Sequence, residues 1–183
     1  SPSLEPRHRC IQGDPVREPA FSADGRYLAT AAHGLTPRIW DLRASNPCTS
    51  PRLLAHGDVV YQVVFSPDTR WAATASMDTK GRLWDLGADA GAEPKLVAEL
   101  AFSDRVLEAA FSPDGRWVAF GSWDTTVKLL NLAETGTRKP IELTGNTGRI
   151  LSASFSPHSK WLAAGGEDRT VPLWDPTNPA AAP

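Results

Sequence analysis

Four segments of this 183-residue chain superimpose without a gap, and that repetition constrains the fold more than any other feature. They are FSADGRYLATAAHGLTPRIWDL (residues 21–42), FSPDTRWAATASMDTKGRLWDL (65–86), FSPDGRWVAFGSWDTTVKLLNL (111–132) and FSPHSKWLAAGGEDRTVPLWDP (155–176). Phe21, Phe65, Phe111 and Phe155 set the phase, with spacings of 44, 46 and 44 residues. A unit repeated in this way cannot bury its apolar face alone, so neighbouring units must stack.

Each unit reads as strand, tight turn, strand, turn, strand. In the second, Val60 to Phe65 form an apolar run suited to an inner strand covered on both faces. Ser-Pro-Asp follows, with proline fixing φ and aspartate bonding its own backbone. Trp71 to Ser76 make the next strand, where Ala72, Ala73 and Ala75 permit close sheet-to-sheet approach. Met77 to Lys80 turn the chain, Gly81 to Leu86 form a third strand, and the run Leu96 to Leu100 supplies a fourth, outer one. A mid-forties period ending in Trp-Asp points to one four-stranded blade per repeat. The expected fold is all-β: a β-propeller of four-stranded antiparallel blades, four per chain. Residues 1–183 form one domain, with units at about 7–42, 51–86, 95–132 and 141–176.

Four copies in phase make the chain resemble the WD-repeat family over almost its whole length. That resemblance implies a hydrogen-bonded set in each blade: a histidine ahead of the inner strand, a Ser/Thr on the second strand, an Asp in the next turn and the Trp of the third strand. The second unit matches at His56, Thr74, Asp78 and Trp84. The third keeps Asp124 but has Phe102 at the histidine phase and Leu130 with Asn131 in place of Trp-Asp, so its network cannot form. The fourth keeps Asp168 and Trp174 beside Asn146 and Ala164; the first has Gln12, Thr30 and Trp40 with Gly34 at the aspartate phase. The second blade is therefore expected to be the most rigid, with the first and third relying on apolar packing.

By phase, an outer-strand segment at about Arg7 to Gln12 comes first and a third strand comes last. The family resemblance implies that this first strand completes the final blade and removes an open sheet edge. Four blades closing alone require a turn of about 90° between neighbours, against about 45° for eight. Three arrangements follow: a closed ring of four, half of an eight-bladed homodimer, or part of a longer propeller. The start at Ser1 suits a processed product, an excised piece or a fragment.

The formal net charge of −2 removes the electrostatic basis for strong non-specific nucleic-acid binding, and no run approaches the ~18 apolar residues of a membrane span. Neither partner is expected, and cytoplasm is the default location. Cys10 and Cys48 lie in no metal-ligand spacing and are read as ordinary thiols. No nucleophile elbow, phosphate loop or His-Glu-x-x-His motif is present, so neither catalysis nor a cofactor or metal is expected. Asp24, Asp68 and Asp114 recur in the first turns, where bonding to local backbone outweighs cation binding. Tyr27, Trp71, Trp117 and Trp161 share one phase and are expected to cover the Pro-containing turns, with the preceding Arg26, Arg70, Arg116 and Lys160 solvated.

The resemblance also implies partner contacts on the face that carries the turn between second and third strands and the start of the inner strand. The variable residues there are His33, Met77, Trp123 and Glu167, with Arg17, Tyr61, Leu107 and Leu151. Trp123, Met77, Tyr61 and Leu107 would form an apolar arc of interface-core types. The expected role is a non-catalytic scaffold or sensor module binding a protein or peptide. The alternatives are a small-ligand or glycan-binding propeller, and a self-assembling repeat block or fragment of a larger signalling protein.

Overall fold

The computed structural model describes residues 5–87, 92–134, 136 and 138–178, and all regular structure within them is antiparallel β. Strands β1 (Val16–Phe21), β2 (Tyr27–Ala32), β3 (Arg38–Asp41) and β4 (Arg52–Leu53) form the first blade in that spatial order. The second contains β5 (Val60–Phe65), β6 (Trp71–Ser76), β7 (Lys80–Asp85) and β8 (Lys95–Ala101). The third contains β9 (Val106–Phe111), β10 (Trp117–Ser122), β11 (Val127–Asn131) and β12 (Ile141–Leu143). The fourth has three described strands, β13 (Ile150–Phe155), β14 (Leu162–Gly166) and β15 (Leu173–Trp174).

The first turn of each blade is built by its own sequence. Ser22, Ser66 and Ser112 donate their hydroxyl protons to Asp24, Asp68 and Asp114 at 2.7, 2.5 and 2.5 Å, and each aspartate also accepts the amide two residues on. The carboxylates are occupied within their own turns. The next residue is left-handed every time: Gly25, Thr69, Gly115 and Ser159 have φ of 66, 60, 72 and 56°.

Blade faces then stack through three apolar clusters. Tyr27, Ala29 and Ile39 of the first blade meet Val60, Val63, Ala72 and Leu86 of the second. Trp71, Ala73 and Leu83 of the second meet Val106, Ala109, Val118 and Leu130 of the third. Trp117, Ala119 and Leu129 of the third meet Ile150, Ala153 and Leu162 of the fourth. Small alanines beside large rings give the interlocking that a dense interior requires. Tyr27, Trp71 and Trp117 are thus inter-blade core; Trp161 alone of the four is exposed. The arginines before them are not simply solvated: Arg26 caps Tyr27 and pairs with Asp41, and Arg70 caps Trp71.

Two expectations are corrected. Inner strands pack in chain order, β1 on β5, β5 on β9 and β9 on β13, and no packing of that extent joins β13 to β1 among the described residues. The four blades form an open arc, and the segment at Arg7 to Gln12 is not a strand. Cys10 and Cys48 are not free thiols but a disulfide, with Cα atoms 4.7 Å apart. A separation of 38 residues carries no spacing signal; only the path of the first blade brings the β3–β4 loop beside the segment preceding β1.

Candidate functional site

In the second blade, Leu54 O lies 2.8 Å from His56 Nδ1, which must therefore carry the proton because a carbonyl can only accept. Nε2 then accepts the Thr74 hydroxyl proton at 2.8 Å, and Thr74 Oγ1 accepts the Trp84 indole N–H at 3.0 Å. Burial depresses the imidazole pKa to about 4, keeping the ring neutral. Asp78 does not reach the imidazole. It accepts the Gly57 amide at 2.9 Å and Arg82 at 2.7 Å, and although burial alone would raise its pKa, these donors hold it below the usual carboxylate range.

The same aspartate phase serves the third and fourth blades by tightening the turn before the inner strand. Asp124 accepts the Ser103 amide, and Asp168 accepts the Thr147 amide, which with the Thr170 amide keeps its pKa well down. The first blade builds a network of its own: Thr30 donates to Gln12 Oε1 at 2.5 Å and accepts Trp40 Nε1–H at 3.2 Å, while Gln12 Nε2 donates to Thr36 O. It does not rely on apolar packing alone. In the fourth blade Trp174 donates to Thr144 O, and Asn146 donates to Ala164 O.

A second feature recurs in every blade. The ladder between inner and second strands slips by one residue at Val16/Glu18, Val60/Gln62, Gly121/Ser122 and Ile150/Ser152. The extra residues are Arg17, Tyr61, Leu107 and Leu151. A β-bulge leaves its extra residue unpaired and re-aims its side chain. All four line one cavity of about 360 Å³ with Glu18, Gln62 and Glu108.

Charge is interleaved with apolar surface there. Arg17 lies over the Tyr61 ring at 4.3 Å, and Gln62 Oε1 accepts the Ala109 amide at 2.7 Å, tying β5 to β9. Burial, reinforced by nearby Glu18, raises the Glu108 pKa to about 7. Glu18, Gln62 and Glu108 escaped the sequence reading, although their shared phase, one residue after each bulge, was a usable signal.

Met77, Trp123 and Glu167 sit at this same end, because their amides bond to Val59, Arg105 and Arg149 just ahead of the inner strands. They do not line the cavity. Trp123 is held between Arg105 and Arg149, whose guanidinium carbons lie 5.1 and 4.4 Å from its ring, and Arg149 pairs with Glu167 at 3.7 Å. Its buried Nε1 has no partner among the described residues. The expected apolar arc is therefore a mixed surface in which arginines cap both aromatics. Among the described residues no group of three His, Cys, Asp or Glu converges as metal ligands.

Four antiparallel sheets stacked side by side along their inner strands are the blades of a β-propeller. The family model for the WD domain, G-beta repeat, matches residues 48–85, 95–131 and 138–175, more than half of the chain, and the chain belongs to that family. No curated protein matches it. Residues 1–47 lie outside the match, and they hold β1 to β3 of the blade in which Gln12 and Gly34 replace the histidine and aspartate. WD repeats as a class mediate protein–protein interaction, typically as non-enzymatic scaffolds.

Proposed function

We propose that this chain is a non-catalytic protein-interaction module that holds a partner segment across the bulge end of its blades. The observation that carries this reading is the β-bulge at the same place in all four blades, which delivers an arginine, a tyrosine and two leucines into one cavity. The scaffold positions around them repeat; these do not. Tyr61, Leu107 and Leu151 supply apolar contact, while Arg17, Glu18 and Glu108 set orientation. Trp123, half-buried between two flanking cations, offers a rim anchor of the type that dominates interface energetics. Met77 and Glu167 extend the rim.

A photo-crosslinking side chain introduced at Leu107 should capture the partner protein, and the same group at Lys95 on outer strand β8 should not. Tyr61→Ala and Trp123→Ala should each weaken binding of the captured protein by about 10-fold or more while leaving the thermal unfolding midpoint close to that of the parent chain. Equal capture from both positions, or affinity indifferent to both substitutions, would overturn the assignment.

A further inference from the structure

The three inter-blade joints repeat one pattern, and each end of the arc carries half of it uncovered. On the fourth blade, Trp161, Val171 and Leu173 occupy the phases of Trp71, Gly81 and Leu83 in the second and of Trp117, Val127 and Leu129 in the third. Trp71 and Trp117 are 6% and 8% exposed, whereas Trp161, Val171 and Leu173 are 41%, 63% and 50% exposed. On the first blade, Val16 and Phe21 stand at the phases of Val60 and Phe65, which pack against a preceding blade; here they are 49% and 68% exposed. The two faces are opposite halves of the same joint.

The fourth blade also has an open edge. Its described sheet ends at β15, where β3, β7 and β11 each carry a further strand. Pro172 does not block that edge. The Pro172 carbonyl accepts the Ala164 amide, so Pro172 faces β14, and Asn146 Nδ2 bonds the Ala164 carbonyl that a proline cannot serve. By strand alternation Val171 and Leu173 present their backbone groups outward. The register of β11 on β12 places Arg9 and Arg7 opposite these two residues when carried across the joint to the fourth-strand phase ahead of the first blade. Residues 7–9 are in no strand here, and the Cys10–Cys48 disulfide anchors the adjoining residue to the first blade.

We propose that a second copy of this chain occupies both ends of the arc. Its first blade covers Trp161, Val171 and Leu173, its residues 7–9 add to β15 as the fourth strand, and its own fourth blade covers Val16 and Phe21. Two identical head-to-tail joints related by a two-fold axis close a ring of eight blades. A second copy is the occupant favoured by the faces themselves: it brings both complementary halves and the missing strand, in the residue types the chain already uses at its three internal joints. Among the described residues β13 does not pack on β1 as the other inner strands pack in succession, so the arc stops short of the closure that about 90° per blade would give four.

Sedimentation of the disulfide-bonded chain across a concentration series should give a species of twice the chain mass. Trp161→Asp and Phe21→Asp, both at exposed sites, should each yield monomers with the parent's near-ultraviolet circular dichroism. An equimolar mixture of the two variants should recover dimer, because one of the two joints in the mixed pair is then wild type on both sides. A monomer at every concentration would overturn the proposal. Open polymers, a dimer indifferent to both variants, or no recovery on mixing would overturn it equally.

Discussion

The residues that make the blades differ from one another do so in compensated sets. The third blade replaces its polar network with Phe102, Phe120 and Leu130, and Phe120 needs room that a Thr or Ala at its phase would not. The facing blade provides it at Gly81, where an added Cβ would lie 2.6 Å from the Phe120 ring. Gly81→Ala should therefore destabilise the chain by about 1–3 kcal/mol in urea titration, and much of that cost should vanish in a Phe120→Ala background. In the second blade the buried imidazole makes the polar alternative sensitive to acid. Between pH 6.5 and about 4 the unfolded chain binds a proton at His56 that the folded chain refuses. Stability from this group is complete above pH 6.5 and is lost as pH falls toward 4, by about 3 kcal/mol. Glu108 acts in the opposite sense: its raised pKa contributes stability that is full below about pH 4.5 and is lost as pH rises through 7. In a Glu108→Gln background the urea midpoint should accordingly climb from pH 4 to 6.5, and adding His56→Gln, the side chain that the first blade uses in this slot, should flatten the climb.

At the scale of the strand and turn, the two irregularities that recur in every blade serve different ends. The bulge at the start of each inner strand shapes the candidate surface, whereas the left-handed residue in each first turn belongs to the scaffold. Glycine occupies that turn position in the first and third blades and accepts φ above +60° without strain; Thr69 is β-branched and does not. Thr69→Gly should raise stability by about 0.5–1 kcal/mol, since its hydroxyl makes only a long 3.4 Å contact with Asp24. Ser159→Gly should gain less, because Ser159 Oγ accepts the Asp114 amide at 3.0 Å across the joint between third and fourth blades. Thermal unfolding of the pair checks the contrast. Turns, strands and their order were legible in the sequence, because Ser-Pro-Asp chemistry and apolar runs act over a few residues. The bulges were not, since alternation within one strand does not reveal how many residues face each residue of its neighbour.

For the whole molecule, the decisive bond joins parts that the sequence keeps 38 residues apart. The Cys10–Cys48 disulfide holds the segment that delivers Gln12 to Thr30, so it supports both the first blade's network and the placement of residues 7–9. Cys10→Ser should lower stability by about 4 kcal/mol on the chain-entropy model for a loop of this length, and reductant should reproduce the loss in the parent chain but not in the variant. Repetition by itself determined the class of fold, the number of blades and the phase of the strands from β1 onward, because stacking of like units follows from local pattern alone; the strand it also placed at Arg7 to Gln12 is not formed. Tertiary structure decided that the ends of that stack stay apart among the described residues. Closure depends on the small rotation accumulated from blade to blade, to which no single residue testifies. It also gathered Arg17, Tyr61, Leu107 and Leu151 around one cavity, joined the cysteines, and left Trp161 and Phe21 uncovered while burying Trp71 and half-burying Phe65 at the same phases. Identical sequence positions acquire different environments only when a neighbouring blade is present or absent, and that is a property of the assembled molecule.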